Sequence, residues 1–167
     1  METIAFKKVK EPYGWLGNMA AYSIVYNDLE YRTTEALFQA LRFKDFPEIA
    51  EKIRQEKSPM TAKMVAKSHK DILDKAGYEF LSGQDLDYMK ICLKQKLSQH
   101  PELKDLLLDT GTKHIIEDCT SRPQGSSLFW GAAFQNGQWI GKNMLGELWM
   151  QERQEINLKP IKKNNFN

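Results

Sequence analysis

Three polar side chains, Glu35, Gln39 and Arg42, recur at helical spacing in a segment that is otherwise mainly apolar. Residues 34–43 contain no glycine, proline or β-branched residue after the threonine, which predicts a helix capped by Thr33 or Thr34. At about 100° per residue, the three polar side chains lie within about 60° of one another. Because buried charges need partners, the sequence leaves two readings: an internal Glu–Arg pair, or one wall of a pocket for a polar ligand.

Each of these side chains suits a task in such a pocket. Glu35 lies in the first turn, where the helix dipole favours the carboxylate, and a carboxylate can act as a general base. Arg42 lies two turns further on, and its permanent charge suits a phosphate or a carboxylate. Gln39 lies between them and could orient either one. The structural alternatives are charge compensation for Glu35 and an ion pair with Glu35 or another acid for Arg42.

Local signals predict the elements that must position this helix. Ser58-Pro59 marks a helix start, with serine as the N-cap and proline at the first helical position. Asn27-Asp28 predicts the turn of a hairpin. The other predicted elements are strands at 3–7 and 113–117, a loop at 13–19, a loop-rich stretch at 118–142, and helices at 46–55, after 82–85, at 101–111 and at 143–156.

The helix after residue 85 carries a strong amphipathic pattern. Its apolar face includes Met89 and Leu93, and Lys90, Lys94 and Lys96 are assigned to a solvated face. Asp85, three residues after a serine, is assigned to a capping-box variant.

Length and composition favour one α+β domain, predominantly helical with a small β component, over residues 1–157. The chain has 167 residues, 41% hydrophobic and 28% charged, with a formal net charge of +2. That charge neither indicates nor excludes a nucleic-acid partner. Two cysteines without metal-ligand spacing, three scattered histidines and no membrane-spanning segment or signal peptide predict a cytoplasmic protein without a metal. Residues 158–167 are predicted to be a mobile tail.

Four blocks, in this order, resemble the NADAR superfamily, which includes the YbiA-like N-glycosidases. The blocks are 13–18 (YGWLGN), 35–43 (EALFQALRF), 58–63 (SPMTAK), and Trp130-Gly131 followed by 141–146 (GKNMLG) and Arg153. Together they span nearly the whole chain and imply a YbiA-like fold. The residues of these blocks are more similar to those of the phage and stand-alone bacterial branch than to those of the riboflavin branch.

The resemblance implies an enzyme that cleaves an N-glycosidic bond between a ribose-derived sugar and a base, with no cofactor. Some members hydrolyse phosphoribosylated intermediates of riboflavin synthesis, and others remove ADP-ribose from guanine in nucleic acid. We expect the second activity here, on a substrate containing ADP-ribose or ribose phosphate, with ADP-ribosylated DNA as a candidate partner. The alternatives are the riboflavin activity and a non-catalytic module that binds ADP-ribose or NAD derivatives.

The same resemblance assigns site residues. The assigned catalytic residues are Glu35 and Lys63, with Glu117 as a second candidate acid. The assigned substrate-binding residues are Asn18, Gln39, Arg42, Trp130, Gly131, Asn143 and Arg153. Asn143 is predicted to be a helix N-cap, and the N-terminus of its helix is a natural anion site. The structural alternatives are loop fixation for Asn18, core packing for the tryptophan, a solvated position for Lys63 and a structural ion pair for Arg153.

Two departures from the riboflavin-type pattern bear on substrate and mechanism. Those members place a lysine where this chain has Arg42, and an aspartate where it has Ser127. Arginine is not deprotonated in proteins and cannot act as an amine nucleophile. If the reaction passes through a Schiff base, Lys63 is therefore the candidate amine.

Overall fold

The structure, a computed structural model of the chain, describes residues 1–159. Its strands are β1 (Thr3–Phe6), β2 (Ile24–Tyr26), β3 (Leu29–Tyr31), β4 (His114–Glu117), β5 (Ala133–Gln135) and β6 (Gln138–Ile140). Its helices are α1 (Thr34–Arg42), α2 (Pro47–Gln55), α3 (Pro59–Ser68), α4 (Lys70–Lys75), α5 (Gly83–Gln99), α6 (Pro101–Asp109), α7 (Ser126–Trp130) and α8 (Met144–Leu158). Of the predicted tail, residues 160–167 lie outside the described residues.

The strands form three small sheets between the helices. β1 and β4 pair in parallel, with Phe6 opposite Glu117, so the carboxyl ends of both strands meet at one edge. β2–β3 and β5–β6 are antiparallel hairpins. The predicted fold class, predominantly helical α+β, is confirmed.

Helix α1 occupies the centre of the fold. It packs against α2, α3 and α5, and every residue from Thr34 to Ala40 is buried. Thr33 caps it, because its hydroxyl accepts a hydrogen bond from the Ala36 N–H at 3.2 Å. The prediction of a capped core helix is confirmed.

One local prediction in this part of the chain is wrong. Ser82 precedes α5 but makes no side-chain hydrogen bond to that helix, so the capping-box role predicted for Asp85 does not form. The stretch at 118–142 is loop-rich as predicted, and it also contains α7 and the β5–β6 hairpin, whose turn has Asn136 at φ 49° and Gly137 at φ 79°. Within residues 1–159, no helix is long and apolar enough to cross a membrane, and no cluster of His, Cys, Asp and Glu could hold a metal ion.

Candidate active site

The three polar residues of α1 form a hydrogen-bonded chain along the helix. Gln39 Nε2 donates to Glu35 Oε1 at 2.9 Å, and Arg42 Nη1 donates to Gln39 Oε1 at 3.5 Å. Glu35 and Gln39 are 7% and 5% exposed. Gln39 therefore holds the Glu35 carboxylate from within the same helix.

A cavity of about 200 Å³ opens against this face of α1. Its lining comes from β1, the 13–19 loop, α1, α3, α5, the end of β4 and α7. Of the residues assigned from the sequence, the lining includes Asn18, Glu35, Gln39, Arg42, Lys63 and Trp130. Gly131, Asn143 and Arg153 are outside it.

Glu117, at the end of β4, lines the same cavity as Glu35. Its Oε2 is buried and has no hydrogen-bond partner among residues 1–159. Burial raises the pKa of Glu117 to about 7; the negative charge of Glu35 adds to the rise and Lys63 opposes it. At neutral pH a substantial fraction of this carboxyl therefore carries a proton, as a general acid requires.

The 13–19 loop brings Asn18 to the cavity and contacts the start of α1. The Asn18 carbonyl accepts a hydrogen bond from the Glu35 N–H at 3.0 Å. Its side-chain Nδ2 lies 3.5 Å from Met89 Sδ, whereas Oδ1 is buried without a partner in the part of the chain that the structure describes. Such buried, unpaired acceptors are uncommon. This oxygen is therefore available to a donor on a ligand, such as a sugar hydroxyl.

Lys96 of α5 holds the same loop through two backbone carbonyls. Its Nζ donates to Trp15 O at 2.6 Å and to Gly17 O at 3.2 Å, and lies 5.7 Å from the centre of the Trp149 ring. The side chain is fully buried, so its assignment to a solvated face is wrong. Burial lowers the pKa of Lys96 to about 7, while the carbonyls and the ring favour the ammonium form. The sequence held a signal, because Lys96 follows the buried Met89 by seven residues and so lies about 20° from it on the helix.

Arg42 pairs with Asp85 rather than with Glu35. The guanidinium Nε and Nη2 donate to the two Asp85 oxygens at 2.9 and 2.6 Å. Asp85 is fully buried and also accepts hydrogen bonds from the Tyr78 hydroxyl and the Leu81 N–H. The charge of Arg42 is therefore balanced within the protein, which leaves it less free to neutralise a ligand phosphate than its sequence position suggests.

Lys63 is an exposed cation at the edge of the cavity. The start of α3 positions it as predicted, because Ser58 Oγ accepts a hydrogen bond from the Thr61 N–H at 3.1 Å and Pro59 opens the helix. No ion pair within residues 1–159 involves Lys63. Its charge acts on Glu117, whose pKa it lowers against the effect of burial.

Trp130 and Gly131 contribute in different ways. The Trp130 ring lies edge to face on Phe38 of α1, with 5.5 Å between ring centres, and lines the cavity. A Cβ on Gly131 would come within 2.4 Å of the Glu117 carbonyl oxygen. The glycine is therefore required for the end of α7 to approach β4, and its contact is with the backbone of the acid rather than with the cavity.

Asn143 precedes α8 but its side chain does not cap that helix. Its Oδ1 accepts a hydrogen bond from the Glu117 N–H at 3.0 Å, and its Nδ2 donates to Ile115 O at 2.8 Å. With φ at 51°, the residue turns its amide toward β4. Asn143 therefore fixes the strand that carries Glu117, and the predicted capping role is wrong.

Arg153 is likewise bonded within the protein. Its Nη1 donates to Thr110 Oγ1 at 2.8 Å and to Lys113 O at 2.9 Å. These contacts join α8 to the turn between α6 and β4, outside the cavity.

The grouping of these residues coincides with a family match over most of the chain. The model of the NADAR domain matches residues 5–157. The chain belongs to the NADAR family. The resemblance inferred from the four sequence blocks is thereby confirmed.

Relatives of this NADAR domain carry enzymatic names. It is 32% identical over 153 residues to "N-glycosidase YbiA" of Escherichia coli (strain K12), covering 92% of this chain and 88% of that protein. It is 28% identical to "N-glycosidase Npun_R5314" of Nostoc punctiforme, covering 92% of each. It is 29% identical to "Riboflavin biosynthesis protein PYRR, chloroplastic" of Zea mays, covering 92% of this chain and 25% of that protein.

The fold has a solved counterpart. The NMR structure of the E. coli protein YbiA superimposes with a TM-score of 0.74 at 27% sequence identity, covering 98% of this chain and 91% of that one. The YbiA-like fold expected from the sequence is therefore confirmed.

Proposed function

We propose that this NADAR domain is an N-glycosidase that hydrolyses the bond between a ribose carbon and a base nitrogen. We further propose that its substrate is ADP-ribose attached to guanine in nucleic acid. The observation that carries the reaction is the placement of Glu35 and Glu117 on one cavity, with the pKa of Glu117 raised by burial. The N-glycosidase names of the relatives YbiA and Npun_R5314 support the reaction class.

The two acids divide the chemistry between them. Breaking the C–N bond builds positive charge on the sugar ring, which the Glu35 carboxylate stabilises before it takes a proton from the attacking water. Glu117 gives its proton to the departing base nitrogen. The water oxygen ends on the sugar carbon, the C–N bond breaks, and the proton on Glu35 can return to Glu117 through solvent.

Lys63 permits a second route to the same products. As an amine it would attack the sugar carbon and pass a proton to Glu35, while the bond to the base breaks and Glu117 protonates the base nitrogen. The ring oxygen then leaves that carbon with a proton, which opens the sugar and gives a Schiff base that water hydrolyses to the free sugar and the amine. In direct hydrolysis it would instead bind a substrate phosphate. Arg42 cannot act as this amine, because arginine is never deprotonated in proteins. Its charge is also already paired with Asp85, which leaves it less free to bind a phosphate.

Borohydride reduction during turnover distinguishes these routes. A Schiff base would leave a reduced sugar adduct on Lys63, detectable by peptide mass spectrometry and absent in Lys63→Arg. We favour direct hydrolysis, and such an adduct would replace it with the covalent route.

Two features favour the ADP-ribosylated substrate over the riboflavin intermediate. Arg42 and Ser127 depart from the riboflavin-type pattern, and the blocks are more similar to the stand-alone bacterial branch. The similarity to PYRR of Zea mays keeps the riboflavin activity as the second candidate.

The substrate is tested by parallel incubations. Purified protein is mixed with DNA carrying ADP-ribosylated guanine and, separately, with the phosphoribosylated riboflavin intermediate, and products are followed by mass spectrometry. We expect free ADP-ribose and restored guanine from the DNA, and no turnover of the intermediate. Turnover of the riboflavin intermediate alone would replace the substrate. Turnover of neither, with ADP-ribose still bound, would indicate a binding module.

A further inference from the structure

A second cavity, of about 380 Å³, lies beside the first. Gln39, Arg42, Lys63 and Ser126 line both. The first cavity, at about 200 Å³, falls below the range of roughly 300–1,000 Å³ usual for sites that enclose a small molecule. The two together have room for a longer ligand that crosses the wall they share.

The second cavity combines an apolar floor with a basic edge. Its floor is lined by Phe43, Ala66, Leu73, Phe80 and Leu81. Lys63, Lys67 and Lys70 lie along the edge. Lys70 is paired with Asp74, whereas Lys67 makes no ion pair with any residue from 1 to 159. The cavity therefore offers a surface for a flat apolar group next to uncompensated positive charge.

Buried contacts hold the walls of this cavity in place. The fully buried Asp85 binds Arg42 on one side and the Leu81 N–H on the other. Leu81 has φ at 54°, a left-handed conformation that leucine seldom adopts. The centre of the Phe80 ring lies 5.1 Å from the Arg42 guanidinium carbon and 4.6 Å from Lys70 Nζ. The walls of the cavity are therefore held by contacts within the protein itself.

We infer that the second cavity binds the distal nucleoside monophosphate of the substrate, with its base on the apolar floor and its phosphate at Lys63 and Lys67. The inference rests on the proposed function, which places the reacting ribose in the first cavity beside Glu35. A diphosphate that joins two ribosides carries its negative charge midway along the molecule, and Lys63 lies where the two cavities meet. A substrate with one phosphoribosyl group would leave the second cavity empty.

Methyl-detected NMR with 5′-AMP as the probe locates the ligand directly. The methyl groups of Ala66, Leu73 and Leu81 report on the second cavity, and those of Met19 and Met89 on the first. We expect nuclear Overhauser contacts between the adenine protons and the Leu73 and Leu81 methyl groups. Contacts confined to Met19 and Met89, or no binding at millimolar AMP, would overturn the inference.

Charge reversal tests the phosphate contact. Lys67→Glu should weaken AMP binding by about tenfold, because it removes a charge-assisted contact and adds repulsion. Lys75→Glu, an exposed lysine at the end of α4 and outside both cavities, is the matched control and should leave binding unchanged. Equal weakening by the two variants, or none by Lys67→Glu, would contradict the assignment.

This experiment is independent of turnover. AMP bound in the second cavity without hydrolysis of ADP-ribosylated DNA would remove the proposed reaction and leave the cavity assignment in place. Hydrolysis of that DNA, with AMP absent from the second cavity, would do the reverse.

Discussion

Replacing Glu117 by glutamine should stabilise the protein above neutral pH while removing its proton donor. The wild-type carboxyl is buried at the end of β4, and its Oε2 has no hydrogen-bond partner within the described residues 1–159. Glutamine has nearly the same shape and no charge to bury. The variant therefore avoids the cost of ionising this position inside the fold.

The size of the effect follows from the pKa of Glu117. That pKa is about 7 in the folded protein, against an ordinary value of 4.5. Between these values the unfolded chain has released the proton and the folded chain still holds it, so the free energy of unfolding falls as pH rises. At 1.36 kcal/mol per pKa unit, the wild type loses about 3 kcal/mol by about pH 8.

Urea unfolding followed by far-UV circular dichroism, from pH 4.5 to about pH 8, measures this loss. The free energy of unfolding of Glu117→Gln minus that of the wild type should grow by about 3 kcal/mol across the range. Glu79→Gln, which alters an exposed carboxylate, is the control and should show little growth. In Glu35→Gln the loss of stability should occur at lower pH, because the negative charge of Glu35 no longer raises the pKa of Glu117. A difference between Glu117→Gln and wild type that does not change with pH would refute the reasoning.

Three further substitutions test contacts around the cavity. Between about pH 7 and 10.5 the unfolded chain holds the Lys96 proton that the folded chain has lost, so the free energy of unfolding of the wild type should rise with pH. Lys96→Met should abolish this rise in urea unfolding, and an unchanged dependence on pH would contradict the reasoning. Asp85→Asn should cost about 3 kcal/mol in urea unfolding because it leaves the Arg42 guanidinium unpaired, and the cost should shrink in an Arg42→Gln background. Asn143→Ala should cost about 2 kcal/mol through two lost hydrogen bonds to β4 and leave calorimetric affinity for ADP-ribose unchanged; lost affinity without lost stability would make it a ligand residue.

Features governed by neighbouring residues could be predicted from the sequence. The Asn27-Asp28 turn forms with φ angles of 49° and 64°, as a two-residue hairpin requires. Ser58 caps α3 by accepting a hydrogen bond from the N–H of Thr61, three residues later in the sequence. Both signals are complete within a few residues, so no knowledge of the tertiary fold was needed.

Features that depend on distant segments could not be predicted. The raised pKa of Glu117 depends on burial by segments far away in sequence and on the negative charge of Glu35. Arg42 found its partner in Asp85, 43 residues further on, although periodicity placed Glu35 on its own face. Asn143 looked like a helix cap because its type and position fit one, and only the approach of β4 gives its amide better partners.

The central claim is that Glu35 takes part in breaking an N-glycosidic bond. Single-turnover release of ADP-ribose from guanine-modified DNA, with enzyme in excess, measures that step without the influence of product release. Glu35→Gln should slow the release by at least about 100-fold while ADP-ribose still binds, because the variant keeps the hydrogen-bonding shape and loses the charge and the base. Release at the wild-type rate by Glu35→Gln would contradict the account.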